Sequence, residues 1–212
     1  MSLTDLRRNY TLDTLSESQL TVNPLTLFDK WLQQVIDEGI PDPNAMTLAT
    51  VNGKGRPSQR IVLLKGRPDN NFVFYTNYES NKALDIESNN QVSLHFPWYV
   101  MERQVMVLGR AYKLSSQHND EYFAVRPKPS QIGALVSMQS KPLQSRESLV
   151  SDFVSTSKQF QDHEVPRPEH WGGYCVKPQE IEFWQGGEHR LHDRFRYTQT
   201  SDGQWQVNRL NP

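Results

Sequence analysis

Arg190, His192 and Arg194 occupy alternate positions in the segment WQGGEHRLHDRFRY (residues 184–197). In a strand that spacing puts two guanidiniums and an imidazole on one face, and Leu191, Asp193 and Phe195 on the other. Arginine offers a rigid fork of donors, so such a face suits an anionic, planar or phosphorylated ligand. The same residues also describe a solvated basic hairpin in which Glu188 and Asp193 neutralise the arginines. Gly186 and Gly187, just before them, predict a tight turn with positive φ.

Two further groups carry possible chemistry. Tyr122 and Arg126 are four residues apart near a predicted helix end and can share a face. Ser130 follows the turn forced by Pro127 and Pro129. Two hydroxyls and a guanidinium converging there would suit a phosphate; the alternative is a surface helix end with Arg126 near the last carbonyls. Arg60 and Lys65 bracket the apolar run IVLL with opposite strand parity. They can serve one ligand only by touching different parts of it or across a bulge. His189 and His192 would face opposite sides of a strand beside two arginines, so no metal site is expected. The chain has no dinucleotide fingerprint or P-loop, and no recognisable catalytic triad or carboxylate pair. Any nucleotide-like cofactor must have its phosphate held by side chains.

The elements that must position these groups follow from periodicity. Asn23-Pro24 predicts a helix start. Phe28, Trp31, Leu32 and Val35 give it an apolar stripe, and Gly39 with Pro41 ends it. Residues 46–51 and 60–65 read as a hairpin around Asn52-Gly53. Further strands are predicted at 72–77, 91–96, 103–114, 174–176, 181–184, 191–197 and 205–210. Helices are predicted from Ser80, capped by that serine, to Glu87, over 116–125, and around Leu149, Val150, Phe153 and Val154. The helix at 116–125 must stop because Arg126 precedes a proline. Short strands joined by hairpins and interrupted by helices imply a mainly β fold, an antiparallel barrel or sheet with flanking helices. Residues 1–22 are polar and unpatterned and read as an arm. Residues 23–212 read as a single domain.

The 212 residues carry a formal net charge of −1. Nothing global in that balance favours nucleic acid or an anionic membrane as a partner. Cys175 is the only cysteine, which leaves no disulfide framework and fits a small core residue. With no apolar leader at the N-terminus and no stretch long enough to cross a bilayer, a soluble cytoplasmic protein is expected.

The stretches RIVLLK, FYTN, FPW, ERQVMV, QIGA, WGG and IEFWQGGEHRLHDRF occur in this order and spacing. Together they resemble the pyridoxamine/pyridoxine 5′-phosphate oxidase family, and the likeness runs from LRRNY near the start to the terminal RLNP. The C-terminal stretch is its most specific part. The resemblance implies an FMN-binding split β-barrel that works as a homodimer, with FMN at the subunit interface. It implies oxidation of pyridoxamine or pyridoxine 5′-phosphate to pyridoxal 5′-phosphate with O2 as acceptor, releasing hydrogen peroxide and, from the amine, ammonia.

By that resemblance FMN would be held by Arg60, Ile61, Val62, Leu63, Leu64, Lys65, Tyr75, Thr76, Asn81, Lys82, Gln104, Gln139, Ser140, Trp184 and Arg194. The substrate phosphate would be held by Lys65, Tyr122, Arg126 and Ser130. Arg190, Leu191 and His192 would meet the pyridine ring. Arg7, Arg8, Asn9 and Tyr10 of the arm would complete the substrate site. Arg190, His192, Arg7 and Tyr10 would be its catalytic members, with Arg7 and Tyr10 closing over the ring. The chain departs from the family pattern at Asn81-Lys82, where Arg-Lys is typical. A charge-assisted hydrogen bond is worth about 1.5–3 kcal/mol, so this change bears on FMN affinity. Leu135, Met138 and Lys141 also stand where Trp, a basic residue and Ser are typical. Two alternatives remain: another split-barrel flavin oxidoreductase, and a non-catalytic FMN or pyridoxal phosphate binding protein.

Overall fold

The computed structural model describes residues 2–6 and 8–212. Helix α1 (Pro24–Asp37) starts where the Asn23 side chain accepts a hydrogen bond from the Leu25 N–H at 3.0 Å. It ends before Gly39, whose φ of +67° few other residues adopt. Its buried face, led by Phe28, Trp31 and Val35, lies across the sheet. Phe28 meets Phe72, Phe96 and Trp98, and Trp31 meets Phe183 edge-on. Such aromatic pairs add about 0.5–1.5 kcal/mol each beyond area burial.

Among the described residues, eight antiparallel strands form one sheet. Strand β1 (Ala45–Val51) pairs with both β2 (Pro57–Leu63) and β4 (Gln91–Phe96). Its inward residues alternate regularly, with Met46, Leu48 and Thr50 buried. β3 (Phe72–Asn77) is followed by α2 (Asn81–Ser88). Strand β5 (Arg103–Lys113) joins β4 to β6 (Trp171–Gln185), which also pairs with β3 and with β7 (Asp193–Gln199). β8 (Trp205–Arg209) ends the sheet beside β7. The sheet closes on itself because Gly66, just after β2, bridges Val73 of β3. Lys65 N–H donates to the Val73 carbonyl at 2.8 Å, and Val73 N–H to Gly66 at 2.9 Å. Closure of this kind pairs edges that an open sheet would expose, while β8 remains an edge strand. Helices α3 (Ser116–Ala124), α4 (Lys128–Val136) and α5 (Arg146–Gln159) fill the long connection between β5 and β6.

The mainly β expectation holds, with local differences. The two strands expected at 174–176 and 181–184 are one 15-residue strand. Pro178 is accommodated where the register with β5 shifts, between Leu108 and Gly109. Helix α4 was not anticipated, because two prolines at 127 and 129 read as a turn; both sit at the start of a helix, where their missing N–H groups cost nothing. Ser80 stands at the N-cap of α2, but its hydroxyl donates to the Asn77 carbonyl rather than capping the helix. Within the polar N-terminal stretch, Leu15 is buried in the main core. No helix among the described residues is long and apolar enough to cross a membrane.

Candidate active site

A cleft of about 640 Å3 opens between β2, β3, α3 and α4, within the ~300–1,000 Å3 usual for small-molecule sites. Four cations line it, Arg60, Lys65, Lys82 and Arg126, and no carboxylate does among the described residues. One wall is aromatic. Tyr75 and Tyr122 stack at 3.9 Å and 15°, and Trp171 lies nearly parallel to both, 5.2 Å from Tyr75 and 6.2 Å from Tyr122.

Arg126 sits in this cleft with its guanidinium 4.5 Å from the centre of the Trp171 ring. Its Nη1 is buried and has no hydrogen-bond partner. A buried donor left unpaired costs about 1–3 kcal/mol, and a phosphate oxygen would remove that cost. Burial lowers the guanidinium pKa, an effect the nearby Tyr122 opposes. Ser130 and Lys65 line the same cleft. Ser130 lies inside α4 rather than beyond a turn, yet it joins Tyr122 and Arg126 as their spacing implied. β2 ends at Leu63, so parity does not bind Lys65, and it reaches the same cleft as Arg60.

At the other end Arg60 is fixed by hydrogen bonds to Thr50 Oγ1 (2.6 Å) and Ser58 Oγ (2.7 Å), with Asp85 4.0 Å away. Lys82 Nζ donates to Gln139 Oε1 at 2.6 Å and to Thr76 Oγ1 at 3.1 Å. Burial, with Arg60 adding to it, pushes the Lys82 ammonium down to about 8. This end is built to receive negative charge and receives none from the chain itself beyond Asp85. Ile61, Val62, Leu63, Tyr75, Thr76 and Gln139 also line the cleft. Leu64 does not: its side chain is in the core and both its backbone polar groups bond to Asn44. Asn81 is exposed, with its N–H 3.3 Å from Ser140 Oγ, and neither residue lines the cleft.

The second group lies at the far end of β6. Trp184 and His192 pack at 4.6 Å, and Tyr10 of the arm meets both rings edge-on at 5.7 and 5.6 Å. Gln104 faces Trp184 in register and bonds His95 at 3.0 Å. Arg194 is held by Glu182 at 2.7 Å, while Asp193 pairs with Arg209 instead of neutralising Arg190 or Arg194. Arg190 and Leu191 are exposed. Arg8 and Asn9 are exposed beside Tyr10, and Arg7 lies outside the described residues.

Two expectations for this segment need correction. Gly186 and Gly187 do not adopt positive φ; His189 (φ 55°) and Arg190 (φ 66°) do, in a short 3-10 turn. Space, not φ, demands the glycines. A Cβ on Gly186 would stand 2.8 Å from the Tyr10 ring, and one on Gly187 2.4 Å from the Leu191 carbonyl oxygen. Because β7 begins only at Asp193, strand parity does not set Arg190 and His192 relative to Arg194. His192 is oriented by the turn itself, its Nδ1 accepting the Gly187 N–H at 3.1 Å. Burial, with Arg190 and Arg194, lowers its pKa, so the imidazole is neutral near pH 7 and carries its proton on Nε2. Sequence reasoning gave no role to Trp171 or Glu182; the WGG motif and the alternate placement of Glu182 and Trp184 were the available signals.

Trp171, in the cleft, and Trp184, in the second group, are both on β6 and 13 residues apart. That is about 40 Å of strand contour at ~3.3 Å per residue.

A closed antiparallel barrel with flanking helices, here bearing a cation-lined, aromatic-walled cleft, places the chain in the split-barrel fold class. Residues 32–160 match the family model described as pyridoxamine 5′-phosphate oxidase, and residues 171–212 match the pyridoxine 5′-phosphate oxidase C-terminal dimerisation region. The chain belongs to the pyridoxamine 5′-phosphate oxidase family. It is similar to the pyridoxine/pyridoxamine 5′-phosphate oxidase of Teredinibacter turnerae, 53% identical with 100% of both chains covered. The protein of that name from Alteromonas mediterranea is 52% identical over the same full extent. Among solved structures it resembles PhzG from Burkholderia lata 383 in complex with tetrahydrophenazine-1-carboxylic acid, with a TM-score of 0.89 and 29% identity over 94% of this chain and 98% of that one. A pyridoxamine 5′-phosphate oxidase-related FMN-binding protein from Nostoc punctiforme shares the fold, with a TM-score of 0.73 and 14% identity over 91% of this chain and 100% of that one.

Proposed function

We propose that this protein is an FMN-dependent oxidase converting pyridoxamine and pyridoxine 5′-phosphates to pyridoxal 5′-phosphate, with O2 as acceptor and hydrogen peroxide as co-product. The observation that carries the reading is the buried, unpaired Nη1 of Arg126 in a cleft with Lys65, Tyr122 and Ser130. That arrangement favours a substrate with a phosphate over a flavin reductase or a phosphate-free substrate. Bound FMN would supply the redox step, taking up the hydride equivalent from substrate and passing electrons on to O2.

Arg60 and Lys82 would hold the FMN phosphate, with Thr76 and Gln139 keeping Lys82 in place. Arg126, Lys65, Tyr122 and Ser130 would hold the phosphate of the substrate. His192 would donate its Nε2–H to the substrate ring, since its Nδ1 is already engaged by Gly187. Arg190 would face the developing charge beside the reacting carbon, and Tyr10 would cover the ring from the arm. Asn81 supplies no side-chain contact to the FMN phosphate in this reading, and Lys82 carries more of that load.

The two groups of one chain lie toward opposite ends of β6. In a homodimer the cleft of one protomer would be completed by the Trp184, Arg190, His192 and Arg194 group of its partner. Ile61, 73% exposed on β2 beside the cleft, is an apolar residue that such an interface would cover. We place the protein in the cytoplasm, which accords with its single unpaired cysteine.

Aerobic incubation with pyridoxamine 5′-phosphate while FMN is titrated in tests the reading. Aldehyde product and peroxide should form in equal amounts and saturate with FMN. Absence of turnover at saturating FMN would favour a binding protein.

A further inference from the structure

The N-terminal arm is fastened to the barrel by two adjacent buried residues where β5 begins. Glu102 is only 4% exposed and left-handed, with φ 54°. Its Oε2 accepts the Leu12 N–H at 3.0 Å, and its Oε1 lies 3.4 Å from Arg8. Its own carbonyl accepts the Gly186 N–H at 2.7 Å and Gln185 Nε2 at 3.2 Å. One residue thus joins the arm to the turn that carries the Trp184 and His192 group. Arg103, equally buried, donates to Asp13 Oδ2 and Gln34 Oε1 at 2.6 Å and to Gln185 Oε1 at 2.8 Å, and it stacks on Trp31 at 4.5 Å.

Tyr10 sits between the arm's contacts at Arg8 and at Leu12–Asp13, edge-on to Trp184 and His192. The bare Cα of Gly186 provides the room for its ring. Among these partners of Arg103, Asp13 is the only carboxylate, and the arm supplies it. Lifting the arm would leave a buried guanidinium facing neutral amides, an arrangement strongly disfavoured over the paired one.

We infer that Glu102 and Arg103 are positioning residues that hold the arm down and so set Tyr10 over His192. This rests on the reading that Tyr10 and His192 meet the substrate. Neither Glu102 nor Arg103 touches the reacting atoms; they act through Tyr10. The arm's rest state is then the docked one, fixed by charge at its base, not one assembled only when substrate arrives.

The test uses the FMN-loaded homodimer and three variants: Asp13→Asn on the arm, Glu102→Gln on the barrel, and Gly186→Ala. Trypsin cleavage of the Arg8–Asn9 bond, followed by mass spectrometry, reports release of the arm without reference to activity. Loss of one charge-assisted hydrogen bond shifts such an equilibrium about tenfold or more, and cleavage of a rapidly opening segment follows its open population. Asp13→Asn and Glu102→Gln should each be cut about tenfold faster than wild type at a temperature where the barrel remains folded. Their KM for pyridoxamine 5′-phosphate should rise more than kcat falls. Gly186→Ala, which crowds Tyr10 but leaves both fastenings, should raise KM in the same way.

Wild-type cleavage rates and wild-type KM in a folded Asp13→Asn protein would overturn the inference, even if Glu102→Gln fails to fold. A wild-type enzyme with no oxidase activity would defeat the proposed function instead, and the cleavage rates would still decide whether the fastening exists.

Discussion

Trp171 and Trp184 stand on the same strand, 13 residues apart, and each belongs to a different cluster of candidate site residues. Trp171 backs the phosphate-seeking Arg126, while Trp184 packs on His192 under the arm. A single strand therefore serves two clusters, one toward each of its ends. In the proposed homodimer a twofold axis would bring one end of β6 in one protomer toward the other end in its partner.

Arg126 gives the most direct test of the substrate phosphate. Arg126→Ala should lower kcat/KM for pyridoxamine 5′-phosphate by about tenfold to a hundredfold, the size of one charge-assisted hydrogen bond. The effect should fall mainly on KM. Arg126→Lys should not restore it, because an ammonium lacks both the planar fork and the stacking on Trp171. Steady-state kinetics with the phosphorylated and dephosphorylated amine would check this. The variant should discriminate between them less than wild type does.

Lys82 makes FMN affinity depend on pH. Its ammonium is held down to about 8 in the free cleft, by burial and then by Arg60. A bound phosphate dianion favours the charged form and raises that value. Binding is thus strongest below about 8 and weakens as pH rises from there toward the bound-state value. Flavin fluorescence titrations between pH 7 and 9 should show Kd increasing, and Lys82→Gln should bind weakly with a flatter profile. A wild-type Kd independent of pH over this range would remove Lys82 from the phosphate site.

His192 should titrate below the ordinary imidazole value of 6.5, because burial, Arg190 and Arg194 all disfavour its protonation. Its neutral form then persists into mildly acidic solution, and protonation appears only as pH falls below its lowered pKa. An NMR titration of the ring in wild type and Arg190→Gln would check both sign and cause. The variant should titrate closer to 6.5. Identical curves would show that Arg190 does not act on His192.

Gly187→Ala should be more damaging than its size suggests. The added methyl would stand 2.4 Å from the Leu191 carbonyl oxygen, a backbone atom that cannot swing aside. Forcing such a contact costs on the order of 1–3 kcal/mol, and here relief would move the N–H that orients His192. A lower melting temperature with a disproportionate loss of kcat is expected. Unchanged kinetics would show that the turn has slack.

Much of this was legible in the sequence, for identifiable reasons. Asn23, Pro24 and the Phe28, Trp31 and Val35 stripe announced α1 because capping and helical periodicity are local. The convergence of Tyr122, Arg126 and Ser130 was visible from a spacing of four and a proline stop. The turn before β7 was not. Gly-Gly reads as conformational freedom, whereas here both glycines answer steric demands from Tyr10 and Leu191, partners that only the tertiary structure supplies. The continuity of β6 through Pro178 was not legible either, since a proline removes one ladder bond and the bulge that absorbs it depends on β5. Fastening of the arm by Glu102 and Arg103 spans some 90 residues of sequence and leaves no periodic trace.

In the proposed homodimer each site would be made by two chains: the Arg126 cleft from one and the Arg190 and His192 group from the other. Mixed dimers test it most directly. Arg126→Ala and Arg190→Ala homodimers should each be nearly inactive at low substrate. When the two chains are co-expressed at equal levels, half of the dimers are mixed and each mixed dimer holds one intact site, so roughly a quarter of wild-type activity should return. Recovery near that level is the predicted result. If both groups served a site within a single chain, every site would carry one lesion, and no activity would return.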